Sequence, residues 1–425
     1  MTIAELHLLF STHYKVSTDT RKITVNCIFF ALKGDNFNGN IYASDALKKG
    51  ASYAVVDEKE QVVSDKFILV DDVLKTLQDL ATYHRDQSSA KVIGLTGSNG
   101  KTTTKELIMA VLSKKNRTIA TIGNLNNHIG VPLTLLSIRP DTEIAVVEMG
   151  ANHKKEIAFL CNIAQPDFGY ITNFGKAHLE GFGSEKGVIE GKSELYDYLL
   201  SNNKAIFLNA DDPIQLEKLK GHIKKFGFST ENRQYYKIEF LSADPFVKIK
   251  VEDNTITSHL IGSYNFTNCA AAILMGKYFN VPLQDIKIAI EKYIPENNRS
   301  QILEKNGHHI ILDAYNANPS SMKAALENFD TMQGGNKIAF LGDMFELGET
   351  AAVEHKIIAD LTEQMNFDDV YLIGENFNAV NTPLKTFESY QAVETFLKKN
   401  KLPHNSDLLI KGSRGMALER LLNLI

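Results

Sequence analysis

Apolar residues along this chain come in short runs that end on polar or glycine residues. Strands of a parallel sheet covered on both faces read this way. Up to residue 90 the runs are "CIFFAL", "YAVVD" and "FILVDD", mixed with helical stretches and Gly/Asn turns. From Lys91 to Glu296, "KVIGLT", "IAVVEM", "FGYITN" and "AIFLNA" alternate with helical segments. "PENN" at 295–298 is polar and led by proline, which marks a linker. Beyond it "HIILDAY", "KIAFLGD", "DVYLIGE" and "LLIKGSR" supply further strands. The pattern predicts an α/β chain of three domains: a smaller α/β unit over 1–90, a central parallel sheet over 91–296, and a second, Rossmann-like sheet over 297–425. Ligands of such sheets bind at the carboxyl ends of the strands, so the polar endings are where chemistry is expected.

A length of 425 residues agrees with two or three domains. With 44% apolar and 23% charged residues, the composition is that of a soluble globular protein. A net charge of −5 argues against a nucleic-acid partner. The first residues lack a basic segment followed by a long apolar run, and no stretch is long enough to span a bilayer. Cys27, Cys161 and Cys269 are far apart and odd in number, as suits buried thiols in a reducing cytoplasm. A cytoplasmic monomer is the expectation.

The chemistry begins at "TGSNGKTTT". A strict phosphate loop has a glycine five positions before Gly100, where Leu95 stands, so this is a shortened variant. Gly97 and Gly100 let the backbone N–H groups of Gly97-Ser98-Asn99-Gly100 converge on phosphate oxygens. The helix that follows, opening with Lys101, Thr102 and Thr103, presents its positive end. Lys101 reaches the β- and γ-phosphates, and the Thr102 hydroxyl binds Mg²⁺. A ligand-free glycine turn fits less well with this place between strand and helix. Glu148 ends the strand "IAVVEM", where a carboxylate is the usual partner of the loop threonine at Mg²⁺. His178 in "NFGKAHLEGFGS" and Lys192 in "EKGVIEGKSELYDYL", a helix with Ser184 as N-cap, read by composition alone as packing or surface residues. Asn124, Asn126 and Asn127 form a polar turn or a phosphate-side segment. Asn265 and Asn268 open a helix and either cap it or face a ligand.

The loop, the "N-x-x-x-A-H-L" spacing of Asn173 to Leu179, and "GKSE" around Lys192 resemble the Mur ligases, the ADP-forming amide ligases of peptidoglycan-precursor synthesis. That resemblance implies ATP, with Asn127, Asn265, Asn268 and Arg299 near the nucleotide and Asp313 at its ribose. It implies Mg²⁺ on Thr102 and a second Mg²⁺ on Glu148, His178 and Lys192. A lysine has only donors, so Lys192 would carry a carbamate to bind metal. "D-x-Y-N-A-N-P" (Asp313 to Pro319), "FLGDMFELGE" and "KGSRGMALE" resemble the branch that adds D-alanyl-D-alanine. Asn316 and Asn318 would then hydrogen-bond the dipeptide, and Lys411 or Arg414 would pair with its carboxylate. "STDTRKITVNCIFFALKGDNFNGN" resembles the segment that holds a uridine nucleotide, with Thr20 and Arg21 at the contact. Asn38-Gly39-Asn40 replaces the usual Asp-Gly-His there, and Tyr264 stands where histidine is common. The implied reaction joins D-alanyl-D-alanine to UDP-N-acetylmuramoyl-tripeptide through an acyl phosphate. The alternatives are a related Mur or folylpolyglutamate-type ligase with another acceptor, or an inactive nucleotide-binding subunit. Lys101, Glu148, His178 and Lys192 are all present, which favours an enzyme.

Overall fold

The computed structural model describes residues 1–296 and 298–425, so Asn297 of the linker lies outside the described residues. Every strand read from the sequence forms, and the chain is α/β throughout. Near the amino terminus, Val16–Ser17, Ile28–Phe30, Tyr53–Val56 and Phe67–Leu69 lie side by side as a parallel sheet. The central sheet has seven parallel strands in the order Tyr236–Lys237, Lys225–Ser229, Ala205–Asn209, Phe168–Ile171, Lys91–Thr96, Ile144–Glu148, Thr118–Ala120. Lys91–Thr96 is thus flanked by Phe168–Ile171 and Ile144–Glu148, with Leu95 opposite Glu148 and Thr96 opposite Ile171. That order brings the phosphate loop, Glu148 and the loop after Ile171 to one edge.

The carboxy-terminal sheet runs Gln301–Lys305, His308–Asp313, Asp407–Lys411, Lys337–Gly342, Asp369–Ile373, Lys385–Phe387. Only its first pair is antiparallel. Not foreseen is an antiparallel sheet of Glu239–Ala243, Phe246–Val251 and Asn254–Ile261. Along Phe246–Val251 the side chains of Val247, Ile249 and Val251 are buried while Lys248 and Lys250 are exposed. This period of two marks a half-buried strand and contains no continuous apolar run. Its inner face packs in one core with the helices Lys101–Leu112, Asn265–Tyr278 and Leu283–Lys292. The cysteines are free and buried, as expected. Among the described residues no helix is long and apolar enough to cross a membrane.

The amino-terminal helix Ile3–Ser11 starts at a capping box of Thr2 and Glu5 and rests on helix Val73–Gln87. At the contact, His84 Nε2 lies 3.0 Å from the Ile138 carbonyl, so that nitrogen carries the proton. His84 Nδ1 accepts from His7 Nε2 at 3.0 Å, and Ser11 Oγ lies 3.4 Å from His7 Nδ1. The chain is satisfied with both rings neutral. Burial lowers both imidazole pKa values, and the Arg139 guanidinium beside His84 adds to it. The unfolded chain therefore binds more protons, and stability present above about pH 6.5 is lost as pH falls below it. The thermal midpoint should drop by several degrees from pH 7.5 to 5.5, and His7→Phe should flatten that slope. A midpoint unchanged over this range in the unaltered protein would remove the histidine pair from the account.

Candidate active site

Between the carboxyl edge of the central sheet and the carboxy-terminal sheet lies a cavity of about 1130 Å³. The strand Lys91–Thr96 enters it through the phosphate loop and leaves as helix Lys101–Leu112. Gly97 has φ +140°, and a Cβ there would lie 2.0 Å from Thr172 Oγ1. Gly100 has φ +78°, and its Cβ would meet Asn268 Oδ1 at 2.6 Å. Only glycine fits either position. Ser98, Asn99, Thr102 and Thr103 line the cavity. Lys101 Nζ donates to its own loop, to Gly97 O at 2.7 Å and Ser98 O at 3.2 Å. Burial pushes the Lys101 pKa down, opposed by the nearby Glu148 carboxylate.

Glu148 is almost fully buried, and its strand end places it behind the loop threonine. Thr102 Oγ1 donates to its Oε1 at 3.4 Å and Asn126 Nδ2 at 2.8 Å. Oε2 is buried and accepts no hydrogen bond from the described residues. The nearest cation to it is Lys105 Nζ at 3.9 Å, which donates to Gly123 O. A buried carboxylate oxygen without a donor is costly and is a ready cation ligand. A hydroxyl beside it completes the oxygen donors that Mg²⁺ favours, so these residues fit that ion. Lys105 went unnoticed in the sequence, although it stands one helical turn after Lys101 on the same face.

His178 lies at the end of the loop after Ile171, in the left-handed region with φ +54°, and faces the cavity. Its Nδ1 is in close contact with the Glu346 carboxylate from "FLGDMFELGE". The imidazole holds the Glu346 carboxyl below its usual range. Lys192 is fully buried in helix Glu185–Ser201, whose N-cap Ser184 accepts from Gly187 N at 3.1 Å. Its Nζ donates to Ala151 O at 2.9 Å beneath the Phe182 ring. Ala151 lines the cavity and Lys192 stands one layer behind it. Burial, then the charge of Lys101, drives the Lys192 pKa well below that of an ordinary lysine.

Asn265 and Asn268 are not caps. Asn265 Nδ2 donates to Ile261 O at 2.8 Å, Asn268 Nδ2 to Asn265 Oδ1 at 2.7 Å, and Thr104 Oγ1 to Asn268 Oδ1 at 2.9 Å. Both line the cavity, as do Asn124, Asn126 and Asn127. Asn127 Oδ1 also accepts from Ile129 N and Gly130 N, at 3.1 and 2.9 Å, closing its own turn.

From the carboxy-terminal side come Arg299, stacked 3.6 Å over the Tyr315 ring, and Asp313, Asn316, Asn318 and Lys411. Lys411 was expected to meet an acceptor carboxylate. Instead its buried ammonium lies 2.5 Å from Asp313 Oδ2, so each is the other's partner. Asn318 caps helix Pro319–Thr331 through Ser321 N at 2.9 Å and donates from Nδ2 to Asn99 Oδ1 of the phosphate loop at 2.7 Å. Arg414 stands outside the cavity: it sits in the short turn Arg414–Met416, largely exposed, and pairs with Glu419 at 2.9 Å. Asp343, at another strand end, is consumed in capping Asn376 N and Phe377 N, both at 2.9 Å. Thr20 and Arg21 lie in the turn Thr20–Lys22, with Arg21 exposed and paired with Asp19 at 2.9 Å, and neither lines this cavity. Tyr264 lies 3.1 Å from Ser300 Oγ.

A phosphate loop at the edge of one parallel sheet, met across a cavity by the strand ends of another, is the arrangement of a nucleotide-dependent ligase built from juxtaposed α/β domains. Residues 95–276 match the Mur ligase middle domain and residues 298–411 the Mur ligase, glutamate ligase domain. The chain belongs to the Mur ligase family. It is 36% identical over 421 residues to the UDP-N-acetylmuramoyl-tripeptide--D-alanyl-D-alanine ligase of Bacillus subtilis (strain 168), covering 96% of this chain and 92% of that one. The crystal structure of MurF from Acinetobacter baumannii superposes with a TM-score of 0.84 at 30% identity, covering 96% of this chain and 92% of that one. MurF ligase from Thermotoga maritima in complex with ADP gives 0.83 at 27% identity, covering 96% of each chain.

Proposed function

We propose that this chain is the ATP-dependent, ADP-forming ligase that joins D-alanyl-D-alanine to UDP-N-acetylmuramoyl-tripeptide in the cytoplasm, acting as a monomer. The observation that carries the reading is the hydrogen bond from Asn318 to Asn99, which joins the "D-x-Y-N-A-N-P" segment to the phosphate loop across one cavity. In the first step an oxygen of the tripeptide's terminal carboxylate attacks the γ-phosphorus, and the bond from that phosphorus to the ADP oxygen breaks. In the second, the dipeptide amine attacks the acyl carbon, phosphate departs, and the amine proton is released. The loop N–H groups and Lys101 offset charge on the transferring phosphoryl. Asn265, Asn268, Arg299 and Asp313 orient the nucleotide, and the facing sheets exclude water from the acyl phosphate. Thr20 and Arg21 contact the uridine nucleotide.

Mg²⁺ would be held by Thr102 and Glu148 and would supply positive charge at the phosphate oxygens. A second Mg²⁺ would be held by Glu148, His178 and a carbamylated Lys192. Burial lowers the Lys192 pKa well below that of an ordinary lysine, which favours the neutral amine, the form that adds to CO₂. ADP release from UDP-N-acetylmuramoyl-tripeptide and ATP, measured with and without D-alanyl-D-alanine, tests the reading. Release that ignores the dipeptide points to another acceptor, and no release to an inactive subunit.

Asn318→Ala should raise the Michaelis constants for ATP and for the dipeptide together. Loss of one hydrogen bond of about 1 kcal/mol corresponds to roughly fivefold. Loss of the cap should also lower the thermal midpoint. Steady-state constants for all three substrates on one preparation decide it. A change confined to the dipeptide would make Asn318 an acceptor ligand only.

A further inference from the structure

We propose that Lys176 and Glu354 are positioning residues for the ligation, acting through an ion pair that joins the two sheets' domains beside His178. The inference rests on the ligase reading above. The loop between strand Phe168–Ile171 and helix Leu179–Phe182 has three parts with different anchors. Its first part is bound within the central domain: Thr172 Oγ1 donates to Asn99 O at 2.6 Å, and Asn173 exchanges hydrogen bonds with Asn99, both at 3.1 Å. Its last residue before the short helix is His178. Its middle is held largely from the carboxy-terminal domain. Lys176 N donates to Ser320 Oγ at 2.8 Å and Lys176 Nζ to Glu354 Oε1 at 2.8 Å.

Glu354 lies in the first turn of helix Ala351–Glu363 and is buried, so its carboxylate depends on that ammonium. Lys176 Nζ is also 3.3 Å from Glu185 at the start of the helix that carries Lys192. One ammonium therefore links the His178 loop, the Lys192 helix and the acceptor sheet's own helix. Docking of the acceptor domain and the placement of His178 are thereby a single event. The phosphate loop is bonded within the central domain to Thr172 and Asn173, and it meets the other domain through Asn99 and Asn318 and not through the pair, so nucleotide binding depends on the pair less than acceptor placement does.

The test is a double-mutant cycle with the near-isosteric variants Lys176→Met and Glu354→Gln, and with Lys176→Arg as the charge-keeping control. Each single variant should raise the Michaelis constant for D-alanyl-D-alanine about tenfold or more. The double variant should cost little beyond the worse single one. Nucleotide dissociation constants should rise no more than about fivefold, the loss that the Asn318–Asn99 hydrogen bond alone accounts for. Lys176→Arg should retain the unaltered values. Small-angle scattering with ATP bound should show a larger radius of gyration for Glu354→Gln. Additive effects, equal losses for nucleotide and dipeptide, or an unchanged dipeptide constant would overturn the proposal. If the unaltered protein shows no dipeptide-dependent ADP release, the ligase reading falls. The scattering profile then judges the pair alone, and an unchanged profile in Glu354→Gln overturns it.

Discussion

Lys101→Ala releases ADP at least 10²- to 10³-fold more slowly than the unaltered protein (an order-of-magnitude expectation for a lost phosphate-side charge) while keeping its thermal midpoint. The two halves of this result have separate causes. Among the described residues Lys101 Nζ is bound only to the carbonyls of Gly97 and Ser98, within four residues of itself. No carboxylate is salt-bridged to it among the described residues, so its removal breaks no ion pair that holds elements together. Burial already works against its charge, and alanine removes that cost along with the two hydrogen bonds. The catalytic loss comes from the phosphoryl group, whose charge the ammonium offsets when it turns from the carbonyls to the γ-phosphate. ADP release and a thermal scan on the same preparation check both. Near-normal turnover would sink the phosphate-loop assignment, and a collapsed midpoint would make Lys101 a structural residue.

The phosphate loop was legible because its message is local. Two glycines, a lysine and a threonine between strand and helix fix both the backbone and its ligand class. Glu148 was legible for a similar reason, since it ends an apolar run and the strand order places it behind Thr102. Lys411 and Asp313 were each read as ligand-facing because each ends a strand. Their strands turn out to be neighbours, with Asp313 opposite Lys411 in register, and opposite charges on adjacent strand ends pair with each other. Strand order is a property of the whole sheet, and no window of sequence carries it.

The same limit hid Glu346 and Glu354. Glu346 lies in a segment quoted for its resemblance and Glu354 in a helix that was not singled out, and both find partners more than 150 positions away in the central domain. Arg414 differs in another way. Its motif was recognised, but the turn after Lys411 sends the side chain to solvent and to Glu419. The antiparallel sheet at 239–261 offers no unbroken apolar run where Lys248 and Lys250 alternate with Val247, Ile249 and Val251.

Lys192→Ala should reduce activity by at least about 10²-fold, and a small carboxylate such as formate or acetate should restore part of it. The structure supplies the reason an ordinary lysine is unsuited to its position. Its side chain is fully buried, its Nζ has Ala151 O as its one hydrogen-bond acceptor among the described residues, and Lys101 adds repulsion. A protonated amine there lacks a carboxylate partner, so the neutral form is favoured. Addition of that amine nitrogen to the carbon of CO₂, with loss of one proton, turns a donor into an anion with two oxygens. Lys192→Arg, whose guanidinium stays protonated, should be as inactive as the alanine variant and should resist rescue because it fills the space. With ¹³C-bicarbonate, the unaltered protein should show a carbamate resonance that both variants lack. A nucleotide- and Mg²⁺-bound crystal in which Lys192 remains unmodified on Ala151 O, together with no such resonance, would refute the carbamate and leave Lys192 as a packing residue.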